Sequence, residues 1–173
     1  MMRTRFFILL GFMVFSLGLV QVTRQGGSLQ IVMSEAHKGD GVVMLQGYAG
    51  KPMTALQFEL IGGKGIRFMD VTPGAGVEDE RLWAVNTVVA SDQSPAATRS
   101  EDTIRVVLFA RTTAGLASSS NTEILKFSVA NDSKSIQRAV IRLAGVVGAL
   151  PTGEKAGVIA GPERTLLRNK LKP

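Results

Sequence analysis

Few residues in this chain are of a type that does chemistry, and their spacing shortens the list further. His37 is the only histidine and there is no cysteine. A nucleophile paired with an imidazole base would therefore depend on one residue, set beside Lys38 in a loop-like stretch. The missing thiols also exclude a disulfide framework, a thiolate metal site and a lipid anchor on a processed cysteine. Glu78-Asp79-Glu80 is an acidic cluster of the kind that can attract a cation. It lacks the Asp-x-Asp-x-Asp spacing of a calcium loop and reads as a solvated turn. The stretch from Gly148 to Lys155 has the outline of a phosphate loop, but Glu154 intrudes before the lysine and Ala156 stands where a hydroxyl is needed. A turn is the expectation there. Spacing alone leaves an acid and base pair of carboxylates open. No catalytic constellation emerges, no cofactor or metal is implied, and the chain reads as non-enzymatic.

The strongest positional signal lies at the start. Arg3 and Arg5 precede eighteen uncharged residues, rich in Phe, Leu, Val and Met, before the next charge at Arg24. A short basic start followed by an apolar run is the layout of a secretory signal, so residues 1–24 are expected to act as a signal peptide or membrane anchor helix. Ser16-Leu17-Gly18 offers small residues at the spacing a signal peptidase accepts, with cleavage before Leu19. Phe6 to Val22 is close to the lower limit of a bilayer span, so an uncleaved anchor is the alternative. Either way the remainder is expected to be secreted or held at the cell envelope, with the leader its sole link to a membrane.

The sequence pI near 10.1 suggests nucleic acid, but the placement of the charges argues against it. Residues 25–162 carry thirteen Lys and Arg against thirteen Asp and Glu. The excess sits at the ends, in Arg3, Arg5 and Arg24 and in Arg164, Arg168, Lys170 and Lys172. A nucleic-acid binder needs its basic residues on the folded body, where they displace phosphate counterions. No nucleic-acid partner is expected. Residues 162–173 read as a basic, solvated C-terminal tail.

Between the ends, period-two alternation dominates. Leu29, Ile31 and Met33 share one face, and Val42 to Tyr48 follows a Lys38-Gly39-Asp40-Gly41 turn. Leu56, Phe58 and Leu60 alternate with Gln57 and Glu59 in Ala55 to Ile61, as in a strand with one face in a core and one in water. Ile66 to Thr72, Leu82 to Ala90, Ile104 to Arg111, Ile124 to Val129, Ala139 to Val147 and Ala156 to Ala160 complete nine strands. Ile136, Val140, Leu143 and Val147 would also suit a helical face, but Gly145, Gly148 and the β-branched residues favour a strand. The pattern predicts one all-β sandwich domain over residues 28–161, monomeric. About 145 residues beyond the leader suffice for one domain burying roughly two thirds of its unfolded surface.

The order Ala55-Leu56-Gln57-Phe58-Glu59-Leu60, Val71-Thr72-Pro73-Gly74, Trp83-Ala84-Val85-Asn86, Ile104 to Ala110 and Ile124 to Val129 resembles the cohesin domain family. The resemblance implies a nine-stranded jelly-roll β-sandwich related to carbohydrate-binding modules, without enzymatic activity. It also implies a protein partner of dockerin type, in assemblies that degrade polysaccharide. Two features depart from the family. Ile61-Gly62-Gly63-Lys64 replaces the aromatic-Asp-Pro that commonly follows the third strand, and there are no repeated domains or Pro/Thr linkers. A stand-alone binding domain is the better match.

In the family the third, fifth, sixth and eighth strands form the partner-binding sheet. Carried onto this chain, the outward residues are Gln57, Glu59, Arg105, Val107, Phe109 and Arg142, a set able to supply an aromatic anchor with a polar rim. An ordinary solvated sheet face is the competing reading of the same residues. Two other classes stay open: direct binding of polysaccharide, which needs aromatic platforms this chain has few of, and an envelope structural subunit assembled by strand exchange.

Overall fold

The computed structural model describes residues 26–89, 101–116, 119–131, 137–167 and 169. The leader, Ala90, Ile136, and Arg168, Lys170 and Lys172 lie outside them. Among the described residues no helix is long and apolar enough to cross a membrane.

Among the described residues eleven strands form two sheets. In chain order they are β1 (Gly27–Met33), β2 (Asp40–Tyr48), β3 (Ala55–Gly62), β4 (Ile66–Pro73), β5 (Trp83–Val89), β6 (Asp102–Ala110), β7 (Ser119–Asn131), β8 (Arg138–Ala149), β9 (Lys155–Ala156), β10 (Val158–Ala160) and β11 (Arg164–Leu167). One sheet runs β10-β1-β2-β7-β4 and the other β11-β8-β3-β6-β5, with β9 beside β8. All pairings are antiparallel except β1 with β10.

Alternation in the sequence becomes burial in the structure. Leu56, Phe58 and Leu60 of β3 and Ile104, Val106 and Leu108 of β6 are buried between the sheets. They meet a layer containing Leu29, Ile31, Val43, Leu45, Phe127 and Val129 from the other sheet. Phe68 and Phe127 pack edge to face, their centroids 5.8 Å apart, the geometry that sets a positive ring edge on a negative ring face. The run holding Val140, Leu143 and Val147, which fits a helix as well as a strand by pattern, resolves as β8, Arg138–Ala149. Its inner residues Ala139, Ile141 and Leu143 are all buried.

The expectation of nine strands needs two corrections. The ninth, Ala156 to Ala160, is broken at Gly157: β9 pairs with β8 in one sheet and β10 with β1 in the other. A short run thus crosses between the layers, which alternation cannot reveal. The sandwich also continues past residue 161, because Arg164–Leu167 adds a strand to the outer edge of β8. Leu166 is buried there, and the Arg164 Nε donates to the Ile31 carbonyl oxygen at 2.8 Å. The abundance of basic residues hid a strand that one buried leucine and one capped carbonyl hold in place.

One buried charge ties the layers together. Asp102 is 9% exposed, and its carboxylate accepts the Phe68 backbone N–H at 2.9 Å, joining β6 of one sheet to β4 of the other. Removing the acceptor strands a buried donor, which costs about 1 to 3 kcal/mol. Asp102→Ala is therefore expected to lower the denaturant midpoint well beyond Asp102→Asn, which keeps an acceptor oxygen. Equal loss in both variants would show that charge, not this hydrogen bond, is what matters.

Candidate functional site

The strands β8, β3, β6 and β5 lie side by side in one sheet, and their register arranges the outward residues in rows. Ala84, Phe109, Ala55 and Ala149 stand level with one another, as do Asn86, Val107, Gln57 and Val147, and then Val88, Arg105, Glu59 and Ala144. The expected residues Gln57, Glu59, Arg105, Val107 and Phe109 form one contiguous block on β3 and β6. Arg142 lies one row further along β8, opposite Ile61.

Phe109 is 42% exposed. Its cross-strand neighbours Ala84 and Ala55 each offer only a methyl group, too short to shield a ring that stands off the pleat. Val88 at 58% and Val147 at 46% add apolar surface on either side. The face is more apolar than the sequence suggests.

The charges of this face are paired. Glu59 stands opposite Arg105 and takes its Nη2 at 2.7 Å and its Nε at 3.1 Å. Arg142 reaches Glu101 at 3.2 Å. Both pairs are solvent exposed and add little to stability. What they do is neutralise the rim, so each guanidinium already has a carboxylate.

Sequence reasoning missed Val88, Val147 and the alanines. Val147 faces out because β8 carries an extra residue between Ala144 and Val147, a bulge facing Gln57 to Glu59. Gly145 takes φ of 57° within it, a left-handed conformation that glycine adopts at little cost. Without the bulge, strict alternation from Arg142 would have put Val146 outward. A glycine inside a strand pattern was the available signal.

The remaining candidates are structural. Tyr48, Phe58, Phe68, Trp83 and Phe127 are all buried, which leaves Phe109 as the one exposed aromatic among the described residues. One ring cannot form a stacking strip for a sugar chain. His37 sits in the turn before β2, its backbone N–H donating to the Ser34 Oγ at 3.0 Å. Asp79 accepts from both the backbone and the guanidinium of Arg81, and those hydrogen bonds hold its carboxyl below the usual range. Gly148 to Lys155 is a hairpin turn closed by Leu150 N–H to the Glu154 oxygen at 2.9 Å. Among the described residues no three His, Cys, Asp or Glu are grouped to hold a metal. A cleft of about 890 Å³ opens at the end of the sandwich around Gly27, Tyr48, Gly157 and Ile159, away from the outer face, and Lys51, Glu154 and Lys155 are its only charged lining residues.

Sheet order and core placement together define a cohesin-like β-sandwich. A non-cellulosomal cohesin from the hyperthermophilic archaeon Archaeoglobus fulgidus superposes with a TM-score of 0.56 at 12% identity, over 81% of this chain and 88% of that one. The sixth cohesin of scaffoldin B from Acetivibrio cellulolyticus, solved in complex with a dockerin, gives 0.58 at 15% identity, over 85% and 99%. A cohesin module from a Clostridium perfringens family 33 glycoside hydrolase gives 0.54 at 9% identity, over 82% and 95%. No protein-family model matches the chain, and no curated protein does.

Proposed function

We propose that this chain is an exported, non-catalytic binding module that presents the outer face of β8, β3, β6 and β5 to a protein partner of dockerin type. Its place is at the envelope or outside the cell, in assemblies that act on polysaccharide. The observation that carries the reading is the juxtaposition on one sheet of Phe109, Val107, Val147 and Val88 with paired charges along one end of the face. That arrangement has the anatomy of a protein interface: an apolar centre, an aromatic anchor and polar edges. The solved structure of a similar fold with a dockerin bound supports the choice of partner class. Export rests on the basic and apolar leader.

The test is a titration of the purified protein with dockerin-type modules encoded in the source genome, run beside a pull-down on insoluble polysaccharides. Saturable binding to such a module, with no retention on polysaccharide, is expected. Retention on polysaccharide alone would transfer the module to the sugar-binding class. Because the Glu59 and Arg105 pair is internally neutralised, steering by this rim is weak, and raising the salt should slow association only slightly. Glu59→Arg leaves two guanidinium groups facing each other and should make the association rate clearly salt dependent. A steep salt dependence already in the wild type would show that the rim is not neutral towards the partner.

A further inference from the structure

Among the described residues each sheet ends in two strands whose outer side no further strand covers, and three of these four edges carry devices that discourage further pairing. The β10 strand has three residues. The β11 strand has four, begins with Arg164 and runs into the basic end of the chain. The β4 strand carries Arg67, ends at Pro73, and is bent at a register shift where Asp70 takes φ of 27°. Short length, charge, proline and bulges are the usual means by which proteins keep sheet edges from joining.

The fourth edge has none of them. Trp83–Val89 pairs with β6 without a register break over seven residues, Trp-Ala-Val-Asn-Thr-Val-Val, with no charge, proline or glycine. No described strand pairs with its outer side. Beside its first half Pro73, Val77, Glu78, Glu80 and Arg111 line a groove of about 250 Å³ with Trp83 to Asn86, and the Trp83 N–H donates to the Asp79 carbonyl oxygen at 2.9 Å, so the stretch offered to a further strand is Val85–Val89.

We propose that this edge pairs with the same edge of a second copy, β5 against β5 in antiparallel register centred on Asn86. The strand is suited to itself. About that centre Val85 meets Thr87 of the second copy, two β-branched side chains that pack well across strands. Ala84 meets Val88, small against large, and Asn86 meets Asn86, whose amides can each donate and accept. The strand itself carries no charge, and antiparallel pairing sets the Glu78 and Glu80 that flank the Trp83 end of one copy beside the Val89 end of the other, apart from their counterparts. The contact is isologous, so it consumes the open edge on both copies and closes at a dimer. The outer face then continues across the seam, setting two copies of the candidate partner site on one sheet.

The experiment is sedimentation of the purified protein over a concentration series, with Asn86→Lys, Asn86→Asp and an equimolar mixture of the two. The wild type is expected to move from monomer to dimer as concentration rises. Each charged variant sets like charges directly opposite one another across the seam and should remain monomeric, while the mixture pairs Lys with Asp and should recover the dimer. Phe109→Ala, one strand away from the seam, should dimerise as the wild type does. Three results overturn the proposal: a wild type that is monomeric at every concentration, a dimer that survives both single variants, or a mixture that fails to recover it. Open-ended polymers would also contradict it, since the other edges are guarded.

Discussion

Phe58→Ala is expected to lower the stability of the domain by about 3 to 5 kcal/mol, the usual cost of emptying a buried aromatic site. Phe58 is 0% exposed at the centre of β3, where the two sheets meet. Nothing nearby can collapse cheaply into the gap, because its neighbours on β3 and β6 are themselves fixed in the ladder. Phe127→Ala should cost a similar amount and also remove the edge-to-face contact with Phe68. Gln57→Ala, one residue along but on the outer face, should stay within about 0.5 kcal/mol. Denaturant midpoints for the three variants check the contrast. Comparable losses at Gln57 and Phe58 would mean that β3 is turned over by one residue.

Phe109→Ala is expected to weaken partner binding by about 2 kcal/mol or more, roughly thirtyfold, the range of an aromatic anchor, with little change in melting temperature. The ring is half exposed and its neighbours on either strand are alanines, so its removal leaves no buried cavity. Titration calorimetry and a thermal melt on the same preparation separate the two effects. A fall in melting temperature matching the loss of affinity would mark Phe109 as a packing residue instead.

How far the sequence foretold this depended on the kind of information each residue carries. Leu56, Phe58 and Leu60 lie on a regular strand, so alternation alone turned them inward, and the same held for Ile104, Val106 and Leu108. Gln57, Glu59, Arg105, Val107 and Phe109 came together because β3 and β6 are neighbours, an adjacency suggested by family resemblance and not by alternation. Register was not legible. Only the ladder shows that Glu59 faces Arg105, so that two charges of the expected polar rim neutralise each other. Val147 was lost to the bulge at Gly145, since one inserted residue inverts every later assignment in a period-two pattern. The strand at Arg164–Leu167 was hidden by its basic surroundings, where composition pointed to solvent and one buried leucine decided otherwise.

The central claim is that the outer face of β8, β3, β6 and β5 is the partner site. Mapping backbone amide shifts of the isotopically labelled protein, as a dockerin-type partner is added, tests it most directly. The predicted result is a contiguous set of perturbed amides centred on Gln57, Val107, Phe109 and Val147, with the β10-β1-β2-β7-β4 sheet unchanged. Perturbation centred on that opposite sheet, or on the cleft around Tyr48 and Gly157, would contradict it.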